Sequence, residues 1–263
     1  MTAAAMDVVH GVEALEPRHG RVFVVIGVFD GLHRGHAYLL RHLRREAVRR
    51  QARPTVITFD HHPDEVITGT APPLLLHPAE RLERLAGAGV EVTVVQHFDD
   101  AVRRTPYDVF VERIRSRVEL AGFLMTPDAA FGFERRGTPD ALAELGGRDG
   151  FEVVVVPPFT LNARPVRSSD VRAAIAAGDL ATARDLLGRD VTLTGVAGRH
   201  DGGTALQFEM PMALPPSGRY PALVGRRRRE LEILGDGVAS VRPALDSASD
   251  GEQVRIRLVA PAR

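Results

Sequence analysis

The stretch from Val22 to Arg50 limits what this chain can fold into more than any other. Five consecutive apolar residues, Val22-Phe23-Val24-Val25-Ile26, run into Gly27-Val28-Phe29-Asp30-Gly31-Leu32-His33-Arg34-Gly35-His36. An amphipathic helix follows over residues 36–50, with Leu39, Leu40, Leu43 and Ala47 on one face. An unbroken apolar strand needs cover on both faces, as in a parallel sheet, and a helix directly after it makes the first crossover of such a sheet. The pattern recurs along the chain. Residues 55–59, 90–96, 122–125 and 151–156 read as strands. Residues 78–88, 107–119, 139–145, 169–177 and 180–187 read as helices. Together they predict an α/β fold with a doubly wound parallel sheet, whose ligands bind at the carboxyl ends of the strands.

After Gly188 the helical period stops. Residues 191–196, 205–210, 220–224, 230–234 and 253–259 read as strands, separated by Gly202-Gly203, by Pro215-Pro216-Ser217-Gly218 and by residues 246–251, which are turn chemistry. The expected division is an α/β domain over residues 1–188 and a second, smaller all-β domain over 189–263. The run Arg226-Arg227-Arg228-Arg229 reads as a solvated loop, with phosphate binding as the alternative.

Charge and residue usage narrow the chemistry. Basic and acidic residues number 34 each, so no net field draws nucleic acid or an anionic membrane. Cysteine is absent, which excludes disulfides, thiolate catalysis and thiolate zinc sites. Lysine is absent too, so no Schiff-base lysine and no GK[ST] phosphate loop can exist. Phosphate chemistry must then use His, Arg, backbone N–H groups and metal. Residues 1–21 lack the pattern of a secretory leader, and no apolar run is long enough to span a bilayer. The expectation is a cytoplasmic protein, with homo-oligomerisation left open.

The glycines at 27, 31 and 35 let backbone approach a ligand closely. A helix starting near Gly35 aims its N–H groups at the strand tips, a natural phosphate site. His33 and His36, three apart at that turn, can donate to phosphate oxygens as charge builds on a leaving pyrophosphate. This His-x-Gly-His after a buried strand resembles the HxGH signature of the nucleotidylyltransferase superfamily.

The resemblance extends further. Residues 27–36, followed by Thr58-Phe59-Asp60-His61-His62-Pro63, look like the N-terminal module of bacterial bifunctional riboflavin kinase/FAD synthetases. Phe131-Gly132 looks like the end of that family's G-x-N-F-x-F-G stretch. Val166-Arg167-Ser168-Ser169-Asp170-Val171-Arg172 resembles its V-S-S-T-x-I-R, and Leu186-Leu187-Gly188-Arg189 its lead into the kinase module. The match covers about residues 21–195. It implies an FMN adenylyltransferase, in which FMN and ATP give FAD and pyrophosphate with Mg2+, and partners that are a small-molecule nucleotide and a phosphorylated acceptor. By resemblance His33, His36 and Arg172 are catalytic. Gly27, Val28, Phe29, Asp30, Gly35, Ser168 and Ser169 serve the nucleotide side. Phe59, His62, Pro63, Asp128 and Phe131 face the acceptor. Ser168-Ser169-Asp170 also fits a plain helix N-cap. No resident metal site is expected; a histidine–aspartate set of Asp60, His62, His33 and His36 is the competing reading of those residue types. His10, His19, His42, His77, His97 and His200 read as surface or structural.

Departures fall in two places. Where the kinase module carries G-F-P-T-A-N, this chain has Gln207-Phe208-Glu209-Met210-Pro211-Met212, so methionines replace both polar ligands. A thioether is a poor partner for magnesium. In the acceptor motifs His61 replaces proline, Ile67 stands where some members have an aromatic residue, Asp128 replaces asparagine, and Ala129 and Ala130 replace larger residues. Two alternatives therefore stand beside FAD formation: the same fold acting on another phosphate monoester, with CTP as a candidate donor, and a non-catalytic flavin- or nucleotide-binding protein.

Overall fold

A computed structural model describes residues 5–200, 203–235, 237–245 and 250–259. The turn expected at Gly202 and most of the one expected at 246–251 lie outside them. The chain divides into two compact units: residues 1–29, 35–71 and 82–160, and residues 30–34, 72–81 and 161–263.

The first unit is built on a six-stranded parallel sheet. Its strands are β1 (Asp7–His10), β2 (Arg21–Ile26), β3 (Arg53–Phe59), β4 (Val92–Gln96), β5 (Glu119–Met125) and β6 (Glu152–Val155). Their order is β1-β4-β3-β2-β5-β6, so the winding reverses beside β2, where the chain leaves for β3 on one side and later lays β5 on the other. That reversal opens the crevice in which such sheets bind ligands. Among the described residues up to 150, the α-helices are α1 (Arg34–Arg49), α2 (Pro63–Thr68), α3 (Pro78–Gly87), α4 (Asp100–Arg103), α5 (Tyr107–Arg115) and α6 (Pro139–Asp149). The sheet's core includes Val22, Val24, Ile57, Val94, Ile114, Phe123 and Leu142. Near the end of α1, Arg50 pairs with buried Glu46 at 2.8 Å and with Glu152 at 2.5 Å, and its guanidinium lies 4.7 Å from the Phe23 ring centroid. One arginine thus ties helix, edge strand and central strand together.

Two of the differences from the sequence reading concern strands of the sheet. The helix expected over 107–119 stops at Arg115, because Glu119 is drawn into β5 and pairs with Arg21 of β2. Strand β1 was not anticipated; only two of its four residues are apolar, and it is held by parallel pairing of Asp7–His10 along β4.

A short ribbon, β7 (Thr160–Leu161) and β8 (Arg164–Pro165), precedes α7 (Ser168–Ala176) and α8 (Leu180–Leu187). The second unit then closes a six-stranded antiparallel barrel from β9 (Thr192–His200), β10 (Gly203–Gln207), β11 (Gly218–Val224), β12 (Arg227–Gly235), β13 (Val238–Arg242) and β14 (Gln253–Leu258). Burial alternates strictly along β14, as a barrel wall requires. Leu193, Leu206, Leu231, Ile233, Val241 and Ile256 form one core with Val171 and Ile175 of α7 and Leu180 and Leu187 of α8. Arg227, Arg228 and Arg229 are not in a loop: they open β12 and pair with Val224, Leu223 and Ala222. The ladder places them there, and the side chains of Arg227 and Arg228 remain exposed. No helix of the described residues is long and apolar enough to cross a membrane.

Candidate active site

In the sheet unit, Gly27 continues β2 and its N–H donates to the Ile57 carbonyl at 3.0 Å. Val28 follows, its carbonyl accepting from the Thr58 hydroxyl at 2.9 Å. Phe29 then takes φ 53°, a left-handed conformation that costs a non-glycine residue about 1–3 kcal/mol. The strain is held by packing: Phe29 is buried, its ring edge lies where a Cβ on Gly27 would come within 3.2 Å, and its centroid is 5.0 Å from the His36 ring. Gly35 and His36 lie in the first turn of α1.

Beside the ends of β2, β3 and β5 opens a cavity of about 580 Å³. Gly27 and Val28 line it, as do Phe59, His62, Pro63 and Phe131 from the acceptor-side set. His62 caps α2, its Nδ1 accepting from the Asp64 N–H at 3.2 Å, with Pro63 as the first helical residue. Asp128 is different. It is exposed, its carboxylate accepts from the Thr126 hydroxyl at 2.8 Å, and the cavity wall takes up one residue later, at Ala129. Sequence reasoning missed Phe98 and the stretch Phe133-Glu134-Arg135, which also line the cavity. Phe98 packs edge-on to Phe59 at 5.3 Å between centroids, a contact between two strand ends that no local pattern reveals.

The middle of the motif, residues 30–34, belongs to the second unit. Gly31 has φ 79°, and a Cβ there would lie 2.8 Å from Leu75 Cδ1, so only glycine fits on both counts. Asp30 is buried, with its carboxylate 2.6 Å from Arg172 Nη2 and accepting from the Leu75 N–H at 3.0 Å. Burial pushes the Asp30 carboxyl above its ordinary range against the pull of Arg172. Arg172 Nε donates to the Pro73 carbonyl at 2.8 Å. Ser168 opens α7, but it does not cap it: the N-cap is Arg167, without a side-chain cap bond, and the Ser168 hydroxyl donates to the Asp30 carbonyl at 3.0 Å. The plain N-cap reading of this serine is thereby corrected. Ser169 follows in the first turn.

Arg189 is the residue whose role the sequence did not disclose. Its Nη2 donates to the Gly31 carbonyl at 2.6 Å and its Nη1 to the Leu32 carbonyl at 3.1 Å. His33 is buried, and desolvation with the nearby Arg189 charge pulls its pKa from 6.5 to about 4. His33 is therefore a neutral imidazole at physiological pH, able to donate through one ring N–H. The only hint in the sequence was that Arg189 ends the Leu186-Leu187-Gly188-Arg189 motif.

Among the described residues, the ligand-type side chains that come together in a group of three are Asp60, His61 and His97, which corrects the expected histidine–aspartate set of Asp60, His62, His33 and His36. Asp60 Oδ1 lies 2.7 Å from His61 Nδ1, and Oδ2 lies 2.6 Å from His97 Nδ1.

Residues 15–170 match the family model described as FAD synthetase. A protein of Pseudomonas fluorescens called bifunctional riboflavin kinase/FMN adenylyltransferase is 32% identical over 237 residues, covering 90% of this chain and 73% of its own length. A relative of that name from Escherichia coli strain K12 is 29% identical, with 97% and 83% covered. A solved structure described as a macrolide-efflux protein from Streptococcus pneumoniae superimposes with a TM-score of 0.80 at 22% identity, covering 98% of this chain and 91% of that one. At that identity it speaks for the fold alone.

Proposed function

We infer the function of this chain from its family: it belongs to the FAD synthetases. Its reaction is adenylyl transfer from ATP to FMN. An oxygen of the FMN phosphate forms a bond to the α-phosphorus of ATP. The bond from that phosphorus to the bridging oxygen of the β-phosphate breaks, and pyrophosphate leaves with the electron pair. The nucleophile is already anionic, so no strong base is required, and the chain's work is positioning and charge neutralisation. The observation that carries this reading is the cavity beside Gly27 and Val28. Its volume falls within the ordinary range of small-molecule sites, and Phe59, Phe98, Phe123 and Phe131 suit a flat aromatic ring system.

On this reading His36 and neutral His33 donate hydrogen bonds to charge that develops on the departing phosphates. Ser168 and Ser169 begin a helix whose first N–H groups favour anions. Arg172 already gives Nε to Pro73 and Nη2 to Asp30, so Nη1 is the edge that meets phosphate, while Arg189 fixes the shape of residues 31–33. Magnesium fits as a companion of the triphosphate, since it keeps waters and takes phosphate oxygens. The motif's own carboxylate, Asp30, is engaged by Arg172 and Leu75 and so is not offered as a metal ligand. Transfer is assigned to residues 1–188, and the all-β domain over 189–263 to a kinase-like barrel without kinase chemistry. Met212, where the family has a polar ligand, is buried and joined through a backbone bridge to Leu74.

One observation favours a second acceptor. Ala129, Ala130 and Ile67 line the cavity where relatives carry larger or aromatic residues, leaving room for a differently shaped phosphate monoester. The deciding experiment measures pyrophosphate release and FAD formation with ATP or CTP and with FMN or other phosphomonoesters. FAD from ATP and FMN supports the reading. Pyrophosphate released only with another acceptor moves the assignment to the second, and none released with any pair returns it to a binding protein.

A further inference from the structure

We propose that Asp60, His61 and His97 form a binding site for a borderline divalent transition ion, zinc being the reference case, in the first unit at the ends of β3 and β4. Two imidazoles and one carboxylate make a donor set suited to such ions. One donor atom from each residue lies within 4.8 Å of the other two. A tetrahedral ion with bonds of about 2.0–2.2 Å holds its ligands roughly 3.3–3.5 Å apart. Asp60 Oδ1 lies 2.7 Å from His61 and Oδ2 2.6 Å from His97, so an ion held by both carboxylate oxygens needs each separation to widen by less than about 1 Å. Side-chain rotation supplies that movement, since His97 is 68% exposed and Asp60 39% exposed.

The backbone beneath these groups is fixed. β3 and β4 are adjacent parallel strands, with Phe59 paired to Gln96, so Asp60 and His97 are the next residues along each. The Asp60 N–H donates to the Gln96 carbonyl at 3.2 Å, and Asp60 Oδ1 accepts from the His61 N–H at 2.9 Å. Three protein ligands leave a coordination position for water. The neighbours on each strand, Phe59 and Phe98, touch edge to face and line the large cavity. A bound ion would therefore pin two strand ends that carry one wall of that cavity. Ion binding itself does not depend on which acceptor the cavity takes.

The experiment uses the full chain after chelator treatment and dialysis. Cobalt(II) is titrated while visible d–d absorption is followed, and zinc is then added in competition. The variants are H61Q, H97Q and D60N. Glutamine keeps an N–H for Asp60 but is a poor ligand, so it separates ligation from hydrogen bonding, and unchanged circular dichroism and melting show that each variant folds. One equivalent of cobalt per wild-type chain is expected, displaced by zinc, with each variant binding at least ~10-fold more weakly. No saturable signal from the wild type overturns the proposal. So does binding by H61Q and H97Q as tight as that of the wild type, which would leave Asp60 as a hydrogen-bonded bridge between two imidazoles.

Discussion

The sheet unit ends its strands on a cavity of about 580 Å³, whereas the barrel unit fills its interior with Leu193, Leu206, Leu231, Ile233, Val241 and Ile256. Both units are closed or layered around an apolar core, but they use their interiors differently. In the first, apolar and polar groups converge around open space. In the second, Met212 joins the packed apolar core. On the function proposed above, the barrel is a case in which a fold would outlast a site, because packing rewards apolar replacements of suitable size even where they offer no ligand chemistry.

The largest effect this contrast predicts is an absence. Riboflavin and ATP should yield no FMN with this chain; FMN appearing at ordinary turnover in a chromatographic assay would break the contrast outright. Next, His36→Ala should lower kcat for adenylyl transfer by about 10²–10³ while leaving ATP affinity nearly unchanged, since the lost donor acts on charge present only in the transition state. Steady-state kinetics with a separate nucleotide titration checks the split, and wild-type turnover would remove His36 from the site.

Arg172→Ala tests how Asp30 is held within the second unit. It strips Asp30 of its buried partner, which costs about 3–5 kcal/mol in such pairs, and it should raise KM for ATP. Urea unfolding and ATP kinetics report the two effects; an unchanged KM would leave Arg172 a structural residue alone. His33 gives a smaller effect with a defined sign. Its folded pKa is depressed, so the unfolded chain binds the extra proton between pH 6.5 and about 4. Its contribution is complete above pH 6.5 and is lost as pH falls toward 4. At pH 5 the loss is about 2 kcal/mol. His33→Asn should lose correspondingly less stability between pH 7 and pH 5, measured by denaturant unfolding; equal losses would mean that His33 titrates normally. The smallest effect is expected for Asp128→Asn. Asp128 is exposed beside the cavity wall, and such surface changes stay within about 0.5 kcal/mol. FMN affinity by fluorescence quenching should therefore shift by no more than about twofold.

Much of this was legible in the chain itself. Val22–Ile26 and its glycine-spaced continuation fixed the central strand and the motif, because apolar runs and helix periods are local properties. The pairings that finish the site are not local. Arg189 reaches Gly31 from 158 positions away, and His97 reaches Asp60 from 37. Nothing in either short stretch announces its partner. Strand β13 escaped notice because Val238-Ala239-Ser240-Val241-Arg242 has a small, mixed composition, and it is a strand by virtue of pairing with β10 and β12. Arg227–Arg229 misled for the opposite reason: a charge run suggests a loop, yet backbone pairing with Val224, Leu223 and Ala222 draws these residues into a strand.

The remote anchoring of residues 30–34 also sets a clock. Asp30 meets Arg172 142 positions later, and Gly31 meets Arg189 158 positions later. A ribosome adds roughly 5–20 residues per second, so Gly31 emerges on the order of ten seconds or more before the side chain that holds its carbonyl exists. During that interval the nascent polypeptide carries the strand and both histidines but lacks the arginines that shape the turn between them. A product terminated before α7 would therefore display the motif without the arginines that hold Asp30 and Gly31.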